Sequence, residues 1–199
     1  RLQRLVASLR VHFRCGAVAL LQLEQGHLRP LAVDGLVQDA LGRRFAVAEH
    51  PRLAAILARR GVTSFHHESA LPDPYDGLVD THAGEPLPVH DCMGTSLQVE
   101  GQTWGVLTLD ALQVGTFDAA ARDALHRCTR AVEAAVRVTR LEAEIRALRL
   151  IRGDAPAGGA AREDGEILGQ SEAITHLLHE IGVVADSELP VLLLGETGV

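Results

Sequence analysis

The chain has 199 residues, of which 47% are hydrophobic and 3% aromatic, so we expect a core built from Leu, Val, Ala and Ile. The formal net charge is −7 with no basic stripe, which argues against direct binding of nucleic acid by this segment. No apolar run approaches the roughly 20 residues that span a bilayer, and three scattered cysteines are typical of a reducing compartment, so we expect a cytoplasmic protein without membrane contact.

The first third of the chain predicts helices and strands around a hairpin. Apolar periodicity and short apolar runs predict, in chain order, a helix at 1–13, strands at 17–23 and 28–33, a helix at 50–61 and a strand at 62–65. The sequence Glu24-Gln25-Gly26 predicts the turn that joins the first two strands into a hairpin.

Residues 66–90 differ from the segments on either side. They contain four prolines and two glycines, so few of them can join a helix or a sheet. A loop of this length in a compact domain is usually either disordered or functional. This loop is rich in His, Asp and Glu, so we expect functional residues in it.

A second hairpin and a long helix follow the loop. Strands are predicted at 93–99 and 104–109, with a turn at Glu100-Gly101 between them. The helix begins near Phe117 and runs to about Leu150.

The last part of the long helix carries a two-heptad apolar seam, formed by Val138, Leu141, Ile145 and Leu148. This seam could pack on the sheet of its own domain, or it could pair with a second copy of the chain as a signalling helix. Two heptads do not decide between these interpretations. A dimer or a higher oligomer is the expected state of the protein.

Residues 1–150 are therefore predicted to form one α+β domain, with a central antiparallel sheet flanked by helices. Residues 152–166 contain no core-forming side chain, which predicts a linker at 151–166. Residues 167–199 are predicted to begin a further domain of the α/β class, starting with a helix and a buried strand.

The end of the chain resembles a nucleotide-binding domain. An apolar strand at 191–194 runs into Gly195, Glu196, Thr197 and Gly198, which resemble the first half of the phosphate-binding loop GxxxxGK[ST]. With Leu168-Gly-Gln-Ser171 and the helix after it, this segment resembles the opening of the AAA+ domain in sigma-54 enhancer-binding proteins. The lysine of the motif would follow Val199. We therefore expect the segment to be neither an ATP-binding unit nor an enzyme, and the full-length protein to carry an ATPase.

The domain before the linker resembles a GAF domain, because it opens with a helix and a hairpin and ends in a long helix. A closer resemblance is to the NorR-type family of nitric-oxide-responsive, sigma-54-dependent transcriptional activators. It is carried by residues 33–44, His50-Pro-Arg-Leu53, residues 71–78, the Val89-His-x-Cys92 stretch and Leu107-Thr-Leu-Asp110.

This resemblance implies a sensor that binds nitric oxide at a mononuclear non-haem ferrous ion. The family's proposed ligands correspond to Asp73, Asp76, Cys92 and Asp110, with Arg52 beside them. It also implies that the sensor holds its own AAA+ domain inactive in cis until nitric oxide binds. The full-length protein would then act on sigma-54 RNA polymerase and DNA through regions outside this chain.

The chemistry of these residues is compatible with that site. Three carboxylates and a thiolate favour a divalent cation, and an octahedral ion with an open position suits ferrous iron. Cys92 opens one strand of the second hairpin and Asp110 ends the other, so the two are expected roughly opposite each other. Arg52 could offset surplus negative charge or hydrogen-bond to the ligands.

Each residue also has an ordinary explanation: Asp73 and Asp76 as turn residues, Cys92 as an inert buried thiol, and Asp110 as the end of a strand. Histidines of the loop and its end compete as ligands, since imidazole binds iron or zinc well; they are His66, His67, His82 and His90. We expect His90 next to the ligands rather than among them. Cys15 and Cys128 are predicted to lie in the core.

Three other functions fit parts of the sequence. The domain could bind a small organic ligand in a GAF pocket lined by these acidic residues, or it could be a purely dimerising module. It could also reduce free methionine sulfoxide, as some GAF domains do, but Cys92 has no nearby resolving cysteine in the sequence.

Overall fold

The computed structural model describes residues 1–84 and 91–152, and residues 171, 174, 176–178 and 181 beyond them. The chain divides into two units, Arg1–Asp154 and Ala155–Val199, and the elements named below lie in the first. His90, most of the predicted linker, and the predicted phosphate loop with Gly195, Glu196, Thr197 and Gly198 lie outside the described residues.

The described part of the first unit alternates helices with antiparallel hairpins. Its helices and strands are α1 (Leu2–Phe13), β1 (Ala17–Glu24), β2 (His27–Asp34), β3 (Phe45–Ala46), α2 (Pro51–Leu57), β4 (Val62–Phe65), β5 (Asp91–Val99), β6 (Gln102–Ala111) and α3 (Ala119–Arg152). Short 3-10 helices occur at Gln38–Gly42, Val47–Glu49 and Asp80–His82.

The six strands form one antiparallel sheet in the order β3-β2-β1-β6-β5-β4. The two hairpins that the sequence predicts are β1–β2 and β5–β6, and pairing of β1 with β6 joins them at the centre. Their turns place Gln25-Gly26 and Glu100-Gly101 at positive φ, the backbone conformation that tight hairpin turns require. The predicted α+β class with an antiparallel sheet is confirmed.

The sheet separates two apolar cores because side chains alternate between its faces along each strand. On one face, α1 and α3 cover the sheet with Val6, Leu9, Leu125 and Val132, among others. On the other face, α2 and the segment between β4 and β5 contribute Leu53, Ile56, Tyr75, Leu78 and Val79.

The middle of the segment after β4 is packed against the second face of the sheet. Tyr75, Leu78 and Val79 are buried, and Val79 forms an isolated antiparallel bridge with Leu36. The loop predicted from its prolines and glycines therefore covers the sheet where β5 begins and β6 ends.

Several features of the unit differ from the sequence prediction, among them the end of α2, which lies at Leu57 rather than at Gly61. The structure adds β3, a two-residue strand that is too short to produce a periodic pattern. It also extends α3 to Arg152, past the predicted domain boundary at 150. Among the described helices, none has both the length and the apolar character needed to cross a membrane.

Candidate metal centre

Cys92 and Asp110 face each other across the β5–β6 pair. The strand register pairs them directly, and both are buried, with 6% and 2% of their surface exposed. The alternation of side chains places Cys92 on the same face of the sheet as Val106, in the core under α2. A thiol and a carboxyl group are thus held together by the most regular part of the fold.

Asp73 reaches the same point from the loop. Its Oδ1 accepts a hydrogen bond from the backbone N–H of Tyr75 at 2.8 Å, an Asx-type turn that fixes the carboxylate. The side chain of Asp73 is only 2% exposed. The donor atoms of Asp73, Cys92 and Asp110 all lie within 4.8 Å of one another, close enough to share one metal ion.

Arg52 ties this group together. It lies in the first turn of α2, and its Nη1 donates hydrogen bonds to Asp73 Oδ2 at 2.6 Å and to Cys92 Sγ at 2.8 Å. Its Nε donates to the carbonyl of Leu71 at 2.8 Å, and the guanidinium lies 5.6 Å from the centre of the Phe65 ring. A buried guanidinium with these partners orients both potential ligands and offsets part of their negative charge.

Asp110 is the least satisfied of the three. Its Oδ2 is buried, and no hydrogen-bond donor in the described part of the chain contacts it. Burial raises the pKa of Asp110 well above its usual value, and the nearby charge of Asp73 raises it further, while Arg52 opposes the shift. A buried acceptor without a partner is costly, so this oxygen marks a place where a further group can bind.

The pKa of the Cys92 thiol is raised as well. Burial raises its pKa, the charges of Asp110 and Asp73 add to that effect, and Arg52 opposes it. The site therefore disfavours anionic forms unless a further positive charge is present.

Tyr75 is a member of the site that sequence reasoning missed. It is 1% exposed, and its hydroxyl lies 2.8 Å from Thr108 Oγ1, on the strand that carries Asp110. Burial raises the pKa of Tyr75 well above its usual value, so it remains a neutral hydrogen-bonding group. The sequence did contain a hint of this role. Tyr75 is the only tyrosine of the chain, and it lies between Asp73 and Asp76, which are both predicted ligands.

A cavity of about 10 Å³ lies at the group, lined by Arg52, Asp73, Tyr75, Cys92, Thr108 and Asp110 with apolar neighbours. That volume is close to what a single water-sized species needs. The cavity thus offers room for one ion beside the three donor side chains.

The structure differs from the predicted ligand set at Asp76, which is exposed and does not belong to the group. The reason is the direction of successive side chains in the turn. Asp73 and Tyr75 both point inward, and the chain then turns at Gly77, which has a φ of +75°. The carboxylate of Asp76 consequently lies on the outer side of the loop.

The histidines described in the loop also lie apart from the group. His66 and His67 are exposed, and the ring of His67 lies 3.8 Å from Asp91. Asp91 is itself buried, and its two oxygens accept backbone hydrogen bonds from His67 at 3.2 Å and Gly115 at 2.6 Å. It is therefore a structural acid, next to Cys92 in sequence but satisfied by loop backbone.

The comparisons with known proteins agree with the fold. Residues 1–136 match the GAF domain family. Among solved structures, the GAF domain of a phosphoenolpyruvate-protein phosphotransferase from Coxiella burnetii aligns with a TM-score of 0.58 at 17% identity, over 72% of this chain and 84% of that chain. A free methionine-R-sulfoxide reductase from Neisseria meningitidis aligns with a TM-score of 0.56 at 17% identity, over 71% and 78%. At these identities the likeness concerns the fold alone.

Similarity in sequence is much closer to a set of regulators. The nitric oxide reductase transcription regulators NorR1 and NorR2 of Cupriavidus necator are each 74% identical to this chain. The matches cover 100% of this chain but only 39% of each regulator, so the chain spans well under half the length of these relatives. The chain belongs to the GAF domain family, and over its full length it is similar to NorR-type nitric oxide reductase transcription regulators.

Proposed function

We propose that this domain senses nitric oxide at a mononuclear, non-haem ferrous ion held by Asp73, Cys92 and Asp110, within a transcription regulator. The names of its close relatives support the role in a nitric-oxide-linked regulator. The observation that carries the metal proposal is the buried cluster of Asp73, Cys92 and Asp110. One carboxylate oxygen of this cluster, Asp110 Oδ2, has no hydrogen-bond partner in the described part of the chain.

The chemistry of the donors fits ferrous iron better than Mg²⁺ or Ca²⁺. Two carboxylates and a thiolate combine hard and soft ligands, whereas Mg²⁺ and Ca²⁺ take oxygen ligands alone. Three protein ligands leave further coordination positions open. When bound, ferrous iron supplies a position at which a diatomic gas can bind.

The residues of the chain have separable roles in this proposal. Arg52 and the backbone N–H of Tyr75 hold the Asp73 carboxylate in place, and Arg52 also orients Cys92. Apolar side chains such as Leu53, Ile56 and Phe65 surround the cavity and restrict water. Binding therefore takes place in a low-dielectric pocket, where a change in charge has a large effect on neighbouring groups.

We also propose that the change at the site when nitric oxide binds is transmitted to an ATPase domain that follows in the same chain. The support is the resemblance of residues 167–199 to the opening of an AAA+ domain. In this proposal the sensor restrains the ATPase without gas and releases it when nitric oxide binds. The released ATPase would act on sigma-54 RNA polymerase through parts of the protein beyond this chain.

Metal analysis of anaerobically purified protein, after reconstitution with ferrous iron, tests the site. We expect one iron per chain and a half-integer-spin electron paramagnetic resonance signal after nitric oxide is added. No bound iron and no such signal would contradict the proposal.

Two variants distinguish the cluster of Asp73, Cys92 and Asp110 from the predicted set of ligands, which also included Asp76. Cys92→Ala should lose iron, because it removes one of three clustered donors. Asp76→Ala should retain iron, because Asp76 is exposed and outside the cluster. Loss of iron in Asp76→Ala with the fold intact would show that the loop carries a fourth ligand into the site.

A further inference from the structure

The second half of α3 exposes the apolar seam that the sequence singled out. Val138, Leu141, Ile145 and Leu148 are 43%, 41%, 46% and 57% exposed. Large apolar side chains at helical spacing with this exposure form a continuous unsatisfied stripe, which commonly marks an interaction surface.

The sheet of the same domain does not cover this stripe. The residues by which α3 packs on the sheet are Leu125, Val132 and Val136, which are almost fully buried. At 100° per residue, the stripe is centred roughly 160° around the helix from Val136. The helix therefore has two apolar faces on opposite sides, one used by its own domain and one exposed.

The identities of the stripe residues indicate what covers it. In a heptad assignment, Val138 and Ile145 occupy a positions, and Leu141 and Leu148 occupy d positions. A β-branched residue at a with Leu at d favours parallel, two-stranded coiled coils.

The flanking charges give an independent argument. Arg137 and Glu144 occupy g positions, and Glu142 and Arg149 occupy e positions. In a parallel, in-register pair, each g residue meets the following e residue of the partner. Arg137 would then meet Glu142, and Glu144 would meet Arg149, so that both contacts join opposite charges.

An antiparallel pair with the same apolar layers is disfavoured by the same residues. Its two-fold axis would pass near residue 143, the middle of the stripe. Glu142 would then lie close to Glu142 of the second chain, and Glu144 close to Glu144 of the second chain. Like charges in contact are destabilising.

Among the described residues, the ion pairs of these charged side chains are exposed, and one of them joins Glu144 to Arg140 at 3.6 Å. Arg1 contacts Glu142 at 2.8 Å, and Arg137 contacts Glu100 at 3.6 Å, with side chains between 44% and 61% exposed. Exposed pairs of this kind contribute little to stability, so they do not prevent pairing with a second chain.

We infer that residues 137–149 pair with the same residues of a second copy of this chain as a parallel, in-register coiled coil. The pairing brings the two chains to the same end as they leave α3 at Arg152. Each sensor domain thereby aligns the segment that follows it with that of its partner. Two heptads bury few layers, so we expect a reversible, concentration-dependent dimer.

Disulfide trapping tests orientation and register in the 199-residue chain with Cys128→Ser as background. Leu148→Cys places a thiol at a d position near the end of the stripe, and Ala143→Cys places one at an outward f position as the matched control. We expect Leu148→Cys to form a cross-linked dimer at least tenfold faster than Ala143→Cys. Equal rates, or preferential cross-linking of Val138→Cys with Leu148→Cys, would overturn the parallel arrangement.

Charge reversal tests the flanking contacts without altering the apolar layers. Arg137→Glu should raise the dimer dissociation constant roughly three- to tenfold, since it replaces two attractive contacts by repulsive ones. Adding Glu142→Arg should restore association, and Arg122→Glu, an exposed position near the start of α3 and outside the stripe, should leave it unchanged. Sedimentation equilibrium measures these constants, and circular dichroism verifies the fold.

Failure of the double reversal to restore association, or a monomer at all concentrations up to hundreds of micromolar, would contradict the inference. The stripe is remote in sequence from Asp73, Cys92 and Asp110, and iron content is measured on the same samples. Failure of the coiled coil and failure of the metal site are therefore separate results.

Discussion

Arg52 is the residue on which the order of the site depends. A buried guanidinium is stabilised only when its donors are paired, and here it is paired with a carboxylate, a sulfur atom and a backbone carbonyl. The same bonds fix Asp73 and Cys92 at the positions that a metal would need. Structural and functional roles coincide in this side chain because one planar group serves two acceptors in the loop and one on β5.

Replacing Arg52 by Met should therefore lower the free energy of unfolding of the metal-free protein by about 3 kcal/mol, since it leaves buried partners unpaired. Arg52→Lys should cost less, because it keeps the charge but not the planar arrangement of donors. Urea unfolding measures both, with the exposed Arg43→Met as control. Equal stability of Arg52→Met and the control would show that the buried contacts are not formed in solution.

Replacing Asp110 should raise the unfolding free energy of the metal-free protein rather than lower it. Asp110→Asn removes the burial cost of an acidic group whose Oδ2 has no partner among the described residues. We expect the metal-free protein to gain about 1 kcal/mol in unfolding free energy, and iron binding to be lost. Chemical unfolding and metal analysis of the same preparation test this. A loss of stability larger than that gain would mean that the carboxylate is needed by the fold itself.

Cys15 illustrates an inert thiol in the same domain. Burial raises its pKa from 9.0 to about 12, and the charge of Asp110 adds to the shift. The folded state therefore holds its proton more tightly than the unfolded state. This contribution to stability is complete below pH 9 and is lost as the pH rises toward 12.

At pH 8 the raised pKa leaves much less of Cys15 as the reactive thiolate than in the unfolded chain. Alkylation followed by mass spectrometry should therefore label the half-buried Cys128 well before Cys15 in the native protein. In guanidinium all three cysteines should react alike. Comparable alkylation rates for Cys15 and Cys128 in the native protein would be incompatible with a tightly packed core under α1 and α3.

At the scale of elements, the close approach of β1 and β6 determines where the site lies. Gly105 of β6 has no room for a side chain, because a Cβ there would overlap the backbone carbonyl of Leu21 on β1. The adjacent strand pairs then continue in register to Cys92 and Asp110. The positions of Cys92 and Asp110 are thus inherited from the pairing of the central strands.

Gly105→Ala should lower the unfolding free energy by about 3 kcal/mol, because the overlap is with backbone and the strands must separate. Gly42→Ala is the matched control, since no atom lies within 4 Å of a Cβ there and its φ is not positive. It should change stability by less than about 0.5 kcal/mol. Thermal or urea unfolding distinguishes the two, and equal effects would refute the close approach.

At the scale of the whole molecule, the sheet divides the domain into two functional faces. The core under α1 and α3 is largely apolar and includes the thiol of Cys15, whereas the α2 face contains the cluster of Asp73, Cys92 and Asp110. A ligand on the α2 face stabilises the folded domain by mass action, since the donor group forms only when the loop, α2 and the sheet assemble.

Ferrous iron at a hundredfold excess over its dissociation constant would stabilise the fold by about 2.7 kcal/mol. For a domain of this size that corresponds to a rise in Tm of roughly 5 to 10 °C. Anaerobic calorimetry should show this rise for the unmodified chain and no rise for Cys92→Ala. A chelator should reverse it, and an equal rise in the variant would place the metal elsewhere.

Much of the fold was predictable because it is encoded locally. Apolar periodicity defined α1, α2 and α3, and the Gln25-Gly26 and Glu100-Gly101 turns defined the two hairpins. A strand pair joined by a tight turn has a nearly fixed register, so the placement of Cys92 opposite Asp110 followed from the sequence.

Other features depended on contacts between distant segments. Periodicity does not apply in an irregular loop, so only the tertiary structure decided that Asp73 and Tyr75 point inward while Asp76 faces outward. The three bonds of Arg52 join segments 19 to 40 residues apart in the chain, which no local pattern encodes. The seam at 138–148 was visible in the sequence, but its exposure depends on which face of α3 meets the sheet. The sequence by itself determined the elements and the candidate ligands, and tertiary packing decided which of those side chains share one buried point.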